Sequence, residues 1–272
     1  MYLQIDHNFS NQTLESFFNF YHLSKQTVSQ LAKGKKIFVN DQEVDLNCKL
    51  QINDILYIDF QDHKKIPQYK GKIDIIYEDD DLLIIHKEPN ILVHSDGNSI
   101  DTLANRISFH YQNEEYCPRH IHRLDYETSG MVVFAKNPLA LSYLDNLIAS
   151  HQMKKEYICL CHNAFVKLKG TIDYKIGKDR HENKMRISTT GKEAKTIYQV
   201  LENGPISKVK VQIVGGRRHQ IRVHMASINH PLIGDKLYGK GEDERLMLHF
   251  QKVEFIHPRT LKTFICEDNN YF

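Results

Sequence analysis

A loop that combines basic, acidic and small hydroxylated residues is the strongest candidate for catalysis in this sequence. It runs from His122 through Arg123 and Asp125 to Gly130 and directly precedes an apolar stretch typical of a buried strand. The Thr, Ser and Gly that end the loop let the backbone turn sharply and supply local hydrogen bonds. By itself this pattern fits two interpretations equally. Asp125 is either a catalytic carboxylate or a structural anchor that pairs with a neighbouring arginine.

A second basic cluster lies in residues 216–224, which begin with the end of a Gly-Gly turn. On a helix, Arg218 and Arg222 are four residues apart and therefore share a face. One of these guanidinium groups could pair with Asp125 and keep it ionised where water is excluded. The remaining arginines could line a track for phosphate groups.

The histidines and cysteines do not form a recognisable metal site. His219, His224 and His230 are not spaced to place two rings one helical turn apart, and no HExxH pattern is present. Cys159 and Cys161 are not a CxxC pair, and five cysteines in a chain without a secretory signal favour reduced thiols. We therefore expect no bound metal, and we expect these two thiols to be buried in a strand.

Composition places the chain among ordinary globular proteins. It has 272 residues, 41% hydrophobic and 26% charged, enough for one or two domains. No apolar run approaches the roughly 20 residues that span a bilayer, and the start lacks a signal-peptide pattern, so we expect no membrane and a cytoplasmic location. The net charge is only +2. A polyanionic partner must therefore be bound by local basic patches.

Hydrophobic periodicity predicts an α+β protein built on a mixed or antiparallel sheet. Candidate strands cover residues 73–77, 82–85, 131–135, 157–161, 196–201, 209–214 and 246–255. Two helices are predicted between them. One begins at Asn137 as its cap, and the other carries Ile221, Met225 and Ile228 on one face.

The first sixty residues predict a small unit of two helices on short strands. Apolar residues with helical spacing from Leu14 to Tyr21 predict the first helix. The second helix runs from its cap, Ser24, to Gly34. A hairpin over 37–44 and a strand over 55–60 follow. Four lysines lie in the second helix and just after it, with no acidic residue between them: Lys25, Lys33, Lys35 and Lys36. This cluster is either a solvated helix face or an RNA-binding patch.

This order of parts resembles the small RNA-binding module named after ribosomal protein S-four. Lys25 replaces the arginine usual in that family, and Asp41 and Asn53 replace its usual turn glycines. The resemblance favours RNA binding by the lysine patch. We therefore divide the chain into an RNA-binding domain, a basic linker and a catalytic domain, at 1–62, 63–72 and 73–272.

Residues 73 to about 260 resemble the RluA-type pseudouridine synthases in the order of their motifs. His122 to Gly130 is similar to the HRLDxxTSG signature of that family. Further segments match its opening strands, its tyrosine-bearing strand, its arginine motif and its closing strand: 76–87, 155–157, 191–194, 216–224, 230–239 and 248–258. Arg218 stands where the family usually has Thr, and Tyr126 where a basic residue is common.

The resemblance implies the fold, the reaction and a set of residue roles. The enzyme would isomerise uridine to pseudouridine in RNA without a cofactor, and the sequence contains no GxGxxG or GxxxxGK[ST] loop. Asp125 would be the essential carboxylate, Tyr157 would lie against the uracil, Arg222 would pair with Asp125, and Arg123 would fill the gap left in the RNA. His122, together with the arginines of the second cluster, Arg217 and Arg218, would contact RNA.

Several alternatives stay open at this point. We expect a monomer that acts on large-subunit ribosomal RNA, with transfer RNA as the alternative substrate. A non-catalytic RNA-binding or ribosome-assembly protein on the same fold is a second hypothesis, disfavoured by the presence of Asp125, Tyr157 and Arg222. A metal-dependent hydrolase is a third, disfavoured by the histidine spacing.

Overall fold

A computed structural model describes residues 1–60, 65–241 and 245–272. The helices in these ranges are α1 (Leu14–Phe20), α2 (Lys25–Lys33), α3 (Leu103–His110), α4 (Pro138–Ala149) and α5 (Gln220–Ser227). The strands of the first sixty residues are β1 (Tyr2–Gln4), β2 (Ile37–Val39), β3 (Gln42–Glu43) and β4 (Ile55–Ile58). Those that follow are β5 (Asp74–Glu78), β6 (Leu82–Lys87), β7 (Arg119–His120), β8 (Ser129–Ala135), β9 (Lys154–His162), β10 (Lys169–Ile172), β11 (Ile176–Lys178), β12 (Met185–Ile187), β13 (Lys195–Glu202), β14 (Ile206–Val214), β15 (Leu248–Ile256) and β16 (Thr263–Glu267).

A ten-stranded sheet forms the body of the protein. Its main order is β10-β13-β14-β9-β15-β8-β6-β5, with β16 paired to β15 and β7 paired to β8. The pair β15 and β8 is parallel, and the other strand pairs described in this sheet are antiparallel. The prediction of an α+β fold on a mixed sheet is confirmed.

The centre of this sheet positions the catalytic-loop candidate. Strands β6 and β8 are buried along their whole length, as expected for continuous apolar runs covered on both faces. Gly130 in β8 has a φ of +115°, and a Cβ there would lie 2.5 Å from the backbone N and O of Phe250 in β15. Only glycine permits this close approach, which brings the start of β8 against β15.

Most elements predicted from periodicity are present. Ser24 caps α2 and Asn137 caps α4, each accepting a hydrogen bond from the backbone N–H three residues on, and Pro138 opens α4. The cysteines Cys159 and Cys161 are free and buried in β9, as predicted. The sequence analysis missed helix α3 and the strands β1, β7, β10, β11, β12 and β16. Strand β1 has three residues and is held by pairing with the distant β4, which no local pattern indicates.

The residues that replace glycine in the N-terminal module adopt the conformation that glycine would supply. Asp41 has a φ of +64° and Asn53 a φ of +69°. Asp and Asn tolerate this left-handed region better than other non-glycine residues because their side chains bond the local backbone. These departures from the family pattern are therefore compatible with its turns.

The N-terminal module is docked on the larger sheet region. The Tyr21 hydroxyl donates to the carbonyl of Pro258 at 3.1 Å, and the Ser142 hydroxyl donates to the carbonyl of His22 at 2.7 Å. The rings of Phe20 and Tyr143 stack with centroids 5.5 Å apart. The predicted boundary at residues 62 and 63, and the start of the predicted linker, lie outside the described residues. The three-part division stays a prediction.

Candidate active site

A buried lysine binds the backbone of the loop that carries Asp125. Lys87, at the end of β6, is completely buried, and its Nζ donates to the carbonyls of Glu88 (3.0 Å), Ile91 (2.8 Å) and Tyr126 (3.1 Å). Burial lowers the pKa of Lys87 to about 7, while the nearby carboxylate of Asp125 acts in the opposite direction. The loop backbone next to Asp125 is thus fixed by a hydrogen bond from this buried side chain.

Arg222 reaches this loop from α5, and its principal partner is Asp235. Its Nε and Nη2 donate to the two carboxylate oxygens of Asp235 at 2.9 and 2.8 Å, and both side chains are buried. Its Nη1 lies 4.0 Å from Asp125 Oδ2 and 3.5 Å from Glu127 Oε2. This nitrogen is buried and makes no hydrogen bond to the described residues. The contact with Asp125 is therefore an ion pair without a hydrogen bond.

The environment of Asp125 combines burial with opposing charges. Burial raises the pKa of Asp125 above its ordinary value, the Arg222 guanidinium opposes this shift, and Glu127 adds to it. His219 Nε2 lies 4.0 Å from Asp125 Oδ1. Burial and the neighbouring arginines lower the pKa of His219 to about 4, so this ring is neutral at pH 7. Its Nδ1 lies 2.8 Å from the hydroxyl of Tyr238.

Tyr157 faces the same space from β9. Its ring stacks on that of Phe250, with centroids 4.7 Å apart and planes 20° from parallel. Strand register explains the contact, because Phe250 pairs with Tyr157 on one side and with Gly130 on the other. Burial and the charge of Asp125 raise the pKa of Tyr157, so its phenol is protonated at neutral pH.

The side chains of Asp125, Tyr157, His219 and Arg222 line one cavity of about 520 Å³. Of the residues singled out from the sequence, the cavity brings together Asp125, Tyr157, Arg222, His122, Arg123 and Arg217. Arg218 is not among the lining residues. Its Nη1 donates to Asn183 Oδ1 at 3.0 Å and its Nε to His219 Nε2 at 3.3 Å.

The predicted RNA contacts differ in what they touch. His122 Nε2 accepts a hydrogen bond from the Val133 N–H at 3.2 Å, and burial lowers the pKa of His122 to about 3, so its ring is neutral and bonded to β8. Its contact with RNA stays a prediction. Arg123 is exposed. Arg217 Nε donates to the Glu193 carbonyl at 2.9 Å.

The lysine patch of the N-terminal module divides into two pairs. Lys25 and Lys33 are exposed on α2. Lys35 forms an ion pair with Glu43 at 3.2 Å, and Lys36 forms one with Asp59 at 3.7 Å. None of these lysines lines the cavity described above.

The histidines considered for a metal site are engaged with protein groups. The ring nitrogens of His224 lie 2.8 and 2.9 Å from Thr196 Oγ1 and the Tyr174 carbonyl, and the ring of His230 stacks on Phe165. Elsewhere, Asp79, Asp81 and His257 bring ligand atoms within 4.8 Å of one another.

That cluster is occupied by protein donors. Arg259 binds both carboxylate oxygens of Asp81 at 2.6 and 2.9 Å, and His257 bonds Asp79 at 2.9 Å. These ion pairs and hydrogen bonds stabilise the turn between β5 and β6.

Comparison with known proteins identifies the family. Residues 81–227, more than half of the chain, match the family model described as RNA pseudouridylate synthase. The chain belongs to this family. It is therefore an isomerase that acts on RNA, as the resemblance to RluA-type enzymes predicted. Residues 1–56 match the model described as the RluD ribosomal pseudouridine synthase N-terminal domain.

Individual relatives cover most of the molecule. The chain is 39% identical to the uncharacterized RNA pseudouridine synthase YhcT of Bacillus subtilis, over 90% of this chain and 84% of the relative. It is 38% identical to ribosomal large subunit pseudouridine synthase D of Buchnera aphidicola, over 61% of this chain and 54% of that relative. The solved human RNA pseudouridylate synthase domain containing 1 superposes with a TM-score of 0.63 at 26% identity, over 75% of this chain and 86% of that one. No helix in the described ranges has the length and apolarity to cross a bilayer.

Three residues that shape the site were given no role by the sequence analysis: Asp235, Lys87 and Phe250. A lysine at the end of an uninterrupted apolar run, as at Lys87, is a usable signal of a buried ammonium. The Gly-Asp pair at 234–235 was noted only as part of the family pattern. Nothing in the local sequence indicates that Asp235 binds Arg222.

Proposed function

We propose that this pseudouridine synthase uses Asp125 as its essential carboxylate, Tyr157 as the platform for the uracil ring, and Arg222 as the residue that positions Asp125. The supporting observation is that the three side chains line one cavity, although they come from a loop, a strand and a helix. The reaction breaks the bond between ribose C1′ and uracil N1, turns the base and joins C1′ to C5. C5 then releases its proton, and N1 takes up a proton from solvent. The atoms are conserved, so no co-reactant is needed.

The charges around Asp125 suit this role. A carboxylate can attack the electron-poor sugar or stabilise it, and both require the ionised form. Nη1 of Arg222, which makes no hydrogen bond to the described residues, supplies a buried positive charge on the side of Asp125, while two hydrogen bonds to Asp235 orient the guanidinium. The protonated phenol of Tyr157 holds the detached base by stacking and can donate a hydrogen bond to it.

Access to the cavity requires the uridine to leave its helix. Extruding a nucleotide costs a few kcal/mol in lost stacking and pairing. Arg123, exposed where the catalytic loop lines the cavity, is proposed to occupy the gap. Arg217 and Arg218, and the N-terminal lysines, are proposed to contact the RNA backbone, with Lys25 and Lys33 the more available pair.

Large-subunit ribosomal RNA is the proposed substrate. Support comes from the N-terminal match to a ribosomal pseudouridine synthase domain and from similarity to a large-subunit enzyme. We further propose that the protein acts as a monomer in the cytoplasm, and that its RNA-binding domain, linker and catalytic domain correspond to 1–62, 63–72 and 73–272. Mapping pseudouridines in total RNA from cells with and without the gene tests the substrate. Sites lost from transfer RNA alone would favour the alternative.

The role of Asp125 is tested by hydrogen release from RNA labelled at uracil C5, in the presence of a chelator. Asp125→Asn keeps the size of the side chain and removes its charge, and we expect release to be abolished. Asp80→Asn is the control, because it makes the same change at an exposed turn. If Asp125→Asn releases hydrogen at the rate of the unaltered protein, the assignment of Asp125 as the essential carboxylate is wrong. Strand cleavage, or loss of activity on chelation, would favour the hydrolase.

A further inference from the structure

A buried lysine lines the part of the cavity near the Gly-Gly turn. Lys155, two residues before Tyr157 in β9, is 8% exposed. Its Nζ donates to the carbonyl of Gly215 at 2.8 Å. In the described part of the chain no carboxylate lies within ion-pair distance of this ammonium, whereas its neighbour Lys154 is 70% exposed and pairs with Glu254 at 2.6 Å.

An ammonium buried without a counter-ion is energetically unfavourable. One carbonyl satisfies one of its three N–H donors, and charged groups removed from water are normally paired. Burial accordingly lowers the pKa of Lys155. The contrast with Lys87 is informative, since that ammonium is satisfied by three carbonyls and has Asp125 and Glu127 nearby.

The backbone beside Lys155 leaves room for a ligand. Gly215 has a φ of +89°, and a Cβ there would meet only the edge of His151, at 3.9 Å. A Cβ on Gly216 would meet only Lys155 Nζ, at 3.4 Å. Both glycines and the adjoining Arg217 line the cavity. The peptide groups of Gly215 and Gly216, which carry no side chain, and the cations Lys155 and Arg217 thus border the same part of the cavity.

We propose that Lys155, with Arg217, binds a phosphodiester group of the RNA strand next to the displaced uridine. The cavity would then hold the uracil and ribose between Asp125 and Tyr157, and a backbone phosphate at the Lys155 end. A phosphate supplies the missing negative charge and accepts the free N–H donors of the ammonium. This inference rests on the proposed function, because it takes this cavity as the one that receives the target nucleotide.

Binding of a fluorescently labelled oligouridylate at several potassium chloride concentrations tests the proposal. The proteins compared are the full chain and its Lys155→Met, Lys155→Arg and Lys154→Met variants, all carrying Asp125→Asn so that no base is converted. A lost contact between an ammonium and a phosphate should weaken binding about tenfold at low salt and reduce the slope of log affinity against log salt by about 0.7. We expect this for Lys155→Met, with Lys155→Arg retaining the slope.

Lys154→Met is the matched control, because it removes the same charge one residue away on the exposed side of β9. We expect it to change affinity less than about twofold, since its partner Glu254 is also at the surface. If Lys155→Met and Lys154→Met show the same affinity and slope, the proposal is wrong and Lys155 serves only to hold the Gly215 turn.

A second measurement uses the unaltered Lys155 and therefore does not depend on the variant folding. In an oligonucleotide that contains a single uridine, replacing one internal phosphodiester at a time with a neutral methylphosphonate should weaken binding to the Asp125→Asn protein about tenfold at the linkage that occupies the subsite. Equal affinity at every linkage would refute the subsite. Because binding is measured without turnover, this failure is distinct from a failure of Asp125 in the hydrogen-release assay.

Discussion

Replacing Asp235 with asparagine removes the main counter-ion of Arg222 with almost no change in side-chain volume. Arg222 is 1% exposed and Asp235 is completely buried, and the two form paired hydrogen bonds of 2.9 and 2.8 Å. After the change, the guanidinium faces an amide, and its nearest described carboxylates are Glu127 at 3.5 Å and Asp125 at 4.0 Å. Removing one partner of a buried ion pair costs about 3–5 kcal/mol. We expect Asp235→Asn to lower the free energy of unfolding by this amount.

Glu127→Gln is the matched comparison, because it makes the same chemical change beside the same guanidinium. Glu127 is 38% exposed and lies 3.5 Å from Arg222 Nη1, without a hydrogen bond. Solvent screening limits such a contact to about 1 kcal/mol or less. The difference between the two variants therefore isolates the effect of burial and of paired hydrogen bonds.

Thermal and urea denaturation followed by circular dichroism measure this difference. For a chain of this size each kcal/mol corresponds to about 2–4 °C in Tm, so Asp235→Asn should lower Tm by about 6 °C or more and Glu127→Gln by less than about 4 °C. Asp235→Asn should also reduce kcat, because the guanidinium beside Asp125 loses its fixed position. Equal changes in Tm for the two variants would show that Asp235 is not the residue that holds Arg222.

Three further outcomes are expected. Burial lowers the pKa of Lys87 to about 7, so the folded chain binds fewer protons than the unfolded chain between about pH 7 and the ordinary lysine pKa, and this group makes the free energy of unfolding rise with pH in that range. Lys87→Met should flatten that rise when the free energy of unfolding is measured by urea titration at several pH values. Parallel plots of this free energy against pH for the two proteins would contradict the prediction. His122→Phe leaves the buried Val133 N–H without its acceptor and should cost about 1–3 kcal/mol in the same titrations. Unchanged stability with weaker RNA binding would instead support the predicted RNA contact. Replacing both Lys25 and Lys33 with alanine should lower the salt slope of RNA binding by up to about 1.4, at roughly 0.7 for each phosphate contact, and an unchanged slope would argue for a solvated helix face.

Local signals explain what the sequence analysis predicted well. Ser24 and Asn137 are helix caps whose side chains bond the backbone three residues on, so the starts of α2 and α4 are readable from a few neighbouring residues. The glycine-ended loop before a continuous apolar run likewise indicated where Asp125 would lie. The N-terminal unit was recognisable from the order of its parts, although its first strand depends on a partner more than fifty residues away.

The sequence by itself determined α2 and α4 with their caps, the buried central strands and the identity of the residues able to do chemistry, because these depend on neighbours within one or two turns. Only the tertiary structure decided which of those residues meet. The parallel pairing of β15 with β8 places Phe250 between the loop that carries Asp125 and Tyr157. Helix α5 places Arg222 in hydrogen-bond contact with Asp235 and only at ion-pair distance from Asp125. Pairing of buried charges depends on distances between segments far apart in the chain, and residue types alone do not encode which acid lies nearest to a given guanidinium.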